Sequence, residues 1–260
     1  MEADLFMEGG ALTPLFFDRD AQIVACDLIG KVLCHRVAGV WLMASIVETE
    51  AYYRAEKASH ASLGYSEKRQ ALFMAPGTVY MYYARGGDSF NVSCAGPGNA
   101  VLAKAGVPYR PAPGIRAGRR TSHDSAAMID RMQRLNPMPD GRLRPPQRLC
   151  SGQTLLCRAL GLRVPDWDRV PIGTAPLRLV DVGYRPRQLV RTNRLGIPPG
   201  RDGQLPFRFI DHERAASATR NPFTRRRSGE CDFTLLPVPA ADGRPDWAGI
   251  LGSDYAQPFD

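Results

Sequence analysis

The sequence predicts an α+β fold in which antiparallel strands are mixed with peripheral helices. Segments rich in β-branched and aromatic residues are typical of strands, and the helical patterns do not alternate with them as a parallel sheet requires. Two such segments, 78–83 and 90–94, enclose a turn at Gly86-Gly87-Asp88 and predict a β-hairpin. The chain has 260 residues, 44% of them hydrophobic, which is enough for a large core in one large domain or two small ones.

The elements around the hairpin follow from local spacing. Apolar side chains at helical spacing predict a helix over 22–29, with Gly30 as its C-cap. Strands are predicted over 31–35 and 41–53 ahead of the hairpin, and a short strand over 100–104 follows it.

The second half of the chain contains two predicted helices. A loop rich in proline and arginine, 107–120, precedes a helix with four apolar side chains on one face, namely Met128, Ile129, Met132 and Leu135. Ser151 is expected to cap a second helix over 153–161, which ends on a glycine. Late strands are predicted over 177–182 and 207–210, and the last thirty or so residues are weakly patterned.

Charge and composition restrict the class of function. The net charge is +8 and the pI is near 9.4. The excess lies in arginine clusters at Arg116, Arg119 and Arg120, at Arg142, Arg144 and Arg148, and at Arg225, Arg226 and Arg227. Guanidinium groups bind phosphate bidentately, so the clusters indicate either a nucleic-acid partner or general solubility. No apolar run approaches the roughly 20 residues of a membrane span, and the N-terminus lacks the basic segment of a secretory signal.

The cysteine and histidine pattern is not that of a metal site. The six cysteines include no C-x-x-C pair, and the four histidines form no H-E-x-x-H motif. We therefore expect buried reduced thiols in a cytoplasmic protein, with no metal and no cofactor.

The stretch VETEAY puts two carboxylates in a predicted strand. Strand alternation places Glu48, Glu50 and Tyr52 on one face and directs the intervening side chains to the core. This face is either a solvated strand surface or the wall of a cleft in which one carboxylate activates a water molecule. Neighbouring carboxylates on one face cannot flank a sugar, as the pair in a glycoside hydrolase does. A single working carboxylate is therefore predicted.

The predicted hairpin combines aromatic rings with a basic tip. Tyr80 and Tyr82 share one strand face, and Arg85 lies beside the two glycines at the tip. Such rings either join the core or line a pocket in which a base extruded from DNA is stacked. A rigid tip beside a basic cleft is suited to fill the gap that an extruded base leaves.

Together these motifs resemble the alkyladenine (3-methyladenine) DNA glycosylase family. The resemblance rests on VETEAY, ASHA, LFMAPGTVYMYY, NVSCAGPGNAVLAKA, RLCSGQTLLCRALG and RLGIPPGRDGQLPFRF, in that order, over about residues 15–209. It implies a single mixed domain with a curved antiparallel sheet, a protruding hairpin and no metal. It also implies an enzyme that flips alkylated or deaminated purines out of duplex DNA and hydrolyses their N-glycosidic bonds, which begins base excision repair.

Residue by residue, the resemblance implies a catalytic base and a base pocket. Glu50 is the implied general base for the attacking water. Tyr52 and Tyr82 are implied to hold the damaged base between them. His60 is implied to contact the base at the pocket edge, and Asn91 lies where the family excludes normal guanine.

The resemblance also implies contacts with the DNA duplex. The hairpin tip departs from the family, because Arg85 aligns with the usual aromatic wedge. We expect Arg85 to enter the base stack and Tyr83 to pack beneath the hairpin. Lys104 stands where better-known members have arginine, and we assign it to a phosphate contact. Ser151-Gly152 places a helix N-terminus near a second phosphate. With no other amine at the matched positions, we expect a monofunctional enzyme without lyase activity.

The expected domain organisation is a glycosylase domain over residues 1–227 and a C-terminal extension of unknown role over 228–260. We expect a monomer that acts on damaged double-stranded DNA, away from membranes and at the nucleoid. Two alternatives stay open, a non-catalytic binder of nucleic acid and an RNA-directed module. The sequence does not rank 3-methyladenine, 7-methylguanine, hypoxanthine and ethenoadenine as substrates.

Overall fold

The computed structural model describes residues 10–84, 86–110, 121–224, 233–239 and 245–252. The α-helices in these ranges are α1 (Pro14–Phe17), α2 (Ala21–Leu28), α3 (Thr121–Leu135), α4 (Gln153–Leu160), α5 (Val164–Trp167) and α6 (Trp247–Leu251). The strands are β1 (Val32–Val37), β2 (Val40–Tyr52), β3 (Val79–Ala84), β4 (Gly87–Ser93), β5 (Ala100–Pro108), β6 (Leu177–Val180), β7 (Gln188–Thr192), β8 (Arg208–Asp211) and β9 (Phe233–Pro237). Short 3-10 helices occupy His60–Leu63, Glu67–Phe73, Pro146–Arg148 and His212–Ser217.

The strands of the described ranges form one open antiparallel sheet. Its order is β3-β4-β5-β2-β8-β7-β9, while β1 pairs with the first half of β2 and with β6. Helices α2, α3 and α4 pack on the central strands. The mixed α+β class is confirmed. Within the described part of the chain, no helix has the length and apolar character needed to cross a membrane.

Strand β2 occupies the centre of the sheet. Its second half pairs with β5 on one edge and with β8 on the other. The pairing with β5 is irregular around Glu48, where the register shifts on both sides of this residue. A strand paired on both edges and covered by helices carries buried side chains on both faces, and Glu48 and Glu50 are both fully buried. The solvated-surface interpretation of these carboxylates is wrong.

The hairpin of β3 and β4 is confirmed, but its turn is tighter than expected. Gly87 and Asp88 belong to β4 and pair with Ala84 and Tyr83, so the turn does not include them. Arg85 lies outside the described residues. The tip rests on α4, since a Cβ added to Gly87 would lie 2.1 Å from Cγ2 of Thr154.

Helix α4 begins differently from the prediction. Its N-cap is Gly152, at φ 141°, and within the described residues no side chain caps the helix. The Ser151 hydroxyl donates instead to the Gln147 carbonyl at 3.2 Å. The expected serine cap is therefore wrong, because Gly152 stands between Ser151 and the first residue of the helix and occupies the N-cap position. The left-handed C-cap at Gly161 is confirmed.

Two elements of the C-terminal segment contact the rest of the fold. Strand β9 pairs with β7, which the sequence did not reveal as a strand. In α6, Nε1 of Trp247 donates to Oδ1 of Asp27 in α2 at 2.6 Å. The division of the chain after residue 227 stays a prediction, but the described pieces beyond it pack on the sheet and on α2.

Candidate active site

A cleft of about 550 Å³ opens where the hairpin, the end of β2 and the start of α4 meet. The segment that follows β7 closes its remaining side, with Leu195 to Pro198 and Arg201 at the wall. The predicted residues Tyr52, His60 and Tyr82 all line this cleft. Asn91, Tyr83, Lys104 and Gly152 line it as well. The structure therefore gathers most of the predicted site residues around one space.

Glu50 lies behind the residues that line the cleft, with 0% of its surface exposed. Its carboxylate accepts a hydrogen bond from the Tyr52 hydroxyl at 2.7 Å and one from the Lys104 ammonium at 3.2 Å, both at Oε2. The backbone N–H of Leu195 reaches Oε1 at 3.4 Å. All three partners line the cleft. A buried carboxylate held by donors from three separate segments has a fixed orientation.

Glu48, two residues earlier, has different partners. Its Oε1 accepts from Nε of Arg208 at 2.6 Å, and its Oε2 accepts from the backbone N–H of Thr219 at 2.6 Å. Both oxygens of Glu48 are thus occupied by a buried arginine and by the chain after β8. This geometry fits a structural role for Glu48.

The hydroxyl of Tyr52 is protonated because two effects act in the same direction. Burial and the neighbouring Glu50 carboxylate both raise the pKa of Tyr52 well above its usual value. The phenol therefore donates to the carboxylate over the whole range of physiological pH.

The hairpin side of the cleft is a cluster of aromatic rings. Tyr80 and Tyr82 are stacked, with centroids 5.4 Å apart and planes at 23°. His60 meets Tyr82 edge-on at 4.4 Å, and its Nδ1 lies 2.9 Å from the Tyr80 hydroxyl. Partial burial, with the charges of Arg69 and Arg201, lowers the pKa of His60, so the imidazole is neutral at pH 7. This wall is aromatic and lies near the positive charges of Arg69 and Arg201.

Asn91 is held in place by the hairpin itself. Its side-chain amide donates to the Tyr80 carbonyl at 3.1 Å across the β3–β4 pair. The side chain is buried and lines the cleft. A fixed amide beside the aromatic wall is in a position to select among groups on the edge of a bound ring.

Two predicted DNA contacts differ from expectation in their surroundings. Lys104 is only 8% exposed and its ammonium contacts Glu50, so the geometry gives its assignment to a phosphate no support. Tyr83 is 65% exposed, and the expectation that it packs beneath the hairpin is wrong. Its strand position turns it away from the core, at the mouth of the cleft.

Three further residues of the site were not predicted. Arg194 stacks on Tyr52, Leu195 contacts Glu50, and Arg208 neutralises Glu48. All lie within the motif RLGIPPGRDGQLPFRF. The three arginines of this motif were the available signal, since nothing local indicates that an arginine is buried beside a glutamate far away in the chain.

A buried carboxylate held by residues that line a cleft with stacked tyrosine rings is the arrangement expected of a hydrolytic site that binds a flat ring system. The methylpurine-DNA glycosylase family model matches residues 15–215. A protein of Pseudomonas aeruginosa is 54% identical over 225 residues, which cover 86% of this chain and 90% of the relative.

A protein of Pseudomonas syringae pathovar tomato is 53% identical over 226 residues, which cover 87% of this chain and 97% of the relative. A more distant protein of Koribacter versatilis is 33% identical over 207 residues, or 76% of this chain and 90% of the relative. The name of each of the three contains the words 3-methyladenine DNA glycosylase. The chain belongs to the methylpurine-DNA glycosylase family and is a DNA glycosylase.

Proposed function

We propose that this enzyme flips alkylated or deaminated purines out of duplex DNA and hydrolyses their N-glycosidic bonds, with Glu50 as the general base. The observation that carries the proposal is the position of Glu50. It is a fully buried carboxylate whose three hydrogen-bond partners line a cleft walled by tyrosines.

The aromatic wall supports binding of an extruded purine. Tyr52 and Tyr82 both line the cleft, and stacking on such rings stabilises an extruded base by about 1–3 kcal/mol. A methylated purine carries a positive charge, which adds a cation–π contribution of about 0.5–2 kcal/mol. These terms are of the same order as the cost of unstacking a nucleotide, a few kcal/mol.

The hydrolytic step follows from the orientation of Glu50. As the base departs, positive charge develops on the sugar, and a nearby carboxylate stabilises it. The same carboxylate orients a water molecule and accepts its proton as the water attacks the sugar. Tyr52, as a donor with a raised pKa, holds the carboxylate without competing for that proton.

Lys104 acts on Glu50 in this proposal and not on a phosphate. Its ammonium compensates the charge of a carboxylate that is fully buried. The contact of Lys104 with Glu50 favours a monofunctional enzyme in which water is the nucleophile.

The decisive experiment is a single-turnover assay of base release from duplexes that contain 3-methyladenine, 7-methylguanine, hypoxanthine or ethenoadenine. We expect release of at least one of these bases, and we expect Glu50→Gln to slow it by about 10²–10⁴-fold or more. The amide keeps the shape of the side chain but does not take a proton from water. Binding of the damaged duplex should survive in this variant.

Two results would contradict the proposal. Near wild-type release by Glu50→Gln would show that another group is the base. If the wild-type protein binds damaged duplex and releases nothing, it is a non-catalytic binder, and tighter binding to matched structured RNA would make it an RNA-directed module.

A further inference from the structure

Arg194 forms a buried ion pair directly behind the cleft. Its guanidinium forms a bidentate contact with the Glu56 carboxylate, with Nη1 2.7 Å from Oε1 and Nη2 paired with Oε2. Both side chains are fully buried. Nη1 also donates to the Ala51 carbonyl at 2.9 Å, near the end of β2. The arginine is therefore locked to the strand that carries Glu50 and Tyr52.

The guanidinium lies against the ring of Tyr52. Its Cζ is 4.6 Å from the centroid of that ring, and 5.3 Å from the centroid of Phe207 on another side. Tyr52 also lines the cleft, so the arginine supports the ring from within the protein. A planar guanidinium that stacks on a ring restricts its tilt in a way that a flexible aliphatic neighbour does not.

The same segment also reaches the catalytic carboxylate. The residue after Arg194 is Leu195, whose backbone N–H points to Oε1 of Glu50 at 3.4 Å. Nη2 of Arg194 donates to the Asp202 carbonyl at 3.4 Å and so links the two ends of the segment 194–202. Movement of Arg194 would therefore change the position of the stacking ring and of one donor to the carboxylate together.

Stability alone is a weak explanation for this arrangement. Desolvation of a buried ion pair offsets most of its attraction, and apolar replacements are often equally stable. Nε of Arg194 is also buried without a hydrogen-bond partner among the described residues, which is unfavourable. The contacts instead converge on two residues of the site.

We propose that Arg194, held by Glu56, is a positioning residue that sets the plane of Tyr52 for base stacking and orients Glu50 through the Leu195 amide. This inference rests on the proposed role of Glu50. It assigns to Arg194 no contact with DNA and no part in proton transfer.

The test compares Arg194→Lys and Arg194→Met with the wild-type protein, well below the melting temperature of each. Lysine keeps a positive charge beside Glu56, but its ammonium can neither stack on the Tyr52 ring nor form a bidentate contact with the carboxylate. A misplacement of the ring and carboxylate by about 1 Å should slow single-turnover base release by about 10²-fold. We expect this loss in both variants, and Arg194→Lys should have the higher melting temperature of the two.

A spectroscopic signal separates positioning from general loss of structure. The Arg194 variants are made in the Glu50→Gln background, in which the base stays attached, and 2-aminopurine beside the lesion reports how far the base is flipped. We expect a smaller fluorescence change at saturating protein when Tyr52 has lost its support.

The matched control is Arg191→Met. Arg191 is also a buried arginine, but it donates to the Pro206 and Leu251 carbonyls and to the Gln22 side chain, none of which lines the cleft. We expect Arg191→Met to lower the melting temperature, while the rate of base release and the fluorescence change stay at their wild-type values. The inference is overturned if the Arg194 variants match this control. Failure of the wild-type protein to release any base would instead overturn the proposed function.

Discussion

Glu48 and Glu50 show how two identical side chains on one strand face acquire different roles. Both oxygens of Glu48 accept hydrogen bonds, one from the buried Arg208 guanidinium and one from the backbone N–H of Thr219. Glu50 is held by Tyr52, Lys104 and Leu195, all three of which line the cleft. The role of each carboxylate is decided by its partners and not by its own burial, which is complete in both cases.

Replacing Glu48 with glutamine should therefore affect stability more than chemistry. The change leaves the buried Arg208 without a counter-charge, and breaking one side of such a pair costs about 3 kcal/mol or more. We expect a lower denaturant midpoint, while single-turnover base release per folded molecule falls by less than about tenfold. A loss of rate as large as that of Glu50→Gln, in protein shown to be folded, would give Glu48 a catalytic role.

At the scale of elements, the hairpin is held firmly up to its last pairs of residues. Gln153 of α4 donates to the Ser89 hydroxyl at 2.8 Å, and the Asp88 carboxylate accepts from the backbone N–H of Val164 at 2.9 Å. Gly87 leaves no room for a side chain against Thr154. A braced hairpin keeps Tyr83 at the mouth of the cleft, where its ring is exposed.

Tyr83→Ala should reduce base flipping without loss of stability. Its ring is 65% exposed, so its removal should change stability by no more than about 0.5 kcal/mol. The ring is available to fill the space of an extruded nucleotide, and its loss should weaken the 2-aminopurine signal beside a lesion. Tyr65→Ala is the matched control, because Tyr65 is 61% exposed and does not line the cleft.

Arg85→Ala belongs in the same experiment, since the sequence predicts Arg85 as the wedge. If Arg85→Ala abolishes flipping and Tyr83→Ala does not, the exposed tyrosine is no wedge. In that case Arg85→Lys should retain less flipping than the wild-type protein, because lysine has no planar group to stack.

At the scale of the whole molecule, the C-terminal segment completes one end of the sheet. Strand β9 is the last strand beside β7 in the described part of the chain, and α6 covers α2. Trp247, Leu251 and Leu236 are all buried there. This segment contacts the side of the molecule away from the cleft, so it supports the fold more directly than the site.

A chain that ends at residue 227 should therefore be less stable and still active when folded. Loss of three buried apolar side chains, at about 1.5–3 kcal/mol each, should lower the melting temperature by about 10 °C or more. Trp247→Phe should cost less, because it removes chiefly the hydrogen bond to Asp27. A truncated chain with an unchanged melting temperature would show that the segment is a separate extension, as the sequence suggests.

Much of the fold can be predicted from short-range patterns in the sequence. Strand alternation and helical spacing predicted β2, the β3–β4 hairpin, α2 and α4 to within a few residues. These patterns depend on backbone periods of two and 3.6 residues, which a single segment displays without its neighbours. The sequence did not predict β7 and β9, because strands of five residues show only a weak alternation. The α4 cap was misassigned because Gly152, and not Ser151, occupies the N-cap position.

Short sequence motifs also identified candidate site residues, but they did not reveal how these residues are arranged in space. The motif VETEAY pointed to a working carboxylate, and ordered motifs over most of the chain indicated its family. The sequence did not show that Glu48 and Glu50 are buried, that Lys104 contacts Glu50 from 54 residues away, or that Arg194 meets Glu56 across 138 residues. A buried charge is tolerated only where folding brings an opposite charge and hydrogen-bond donors to it. Such partners come from distant parts of the chain and leave no local pattern, so only the folded structure shows which partners each carboxylate has.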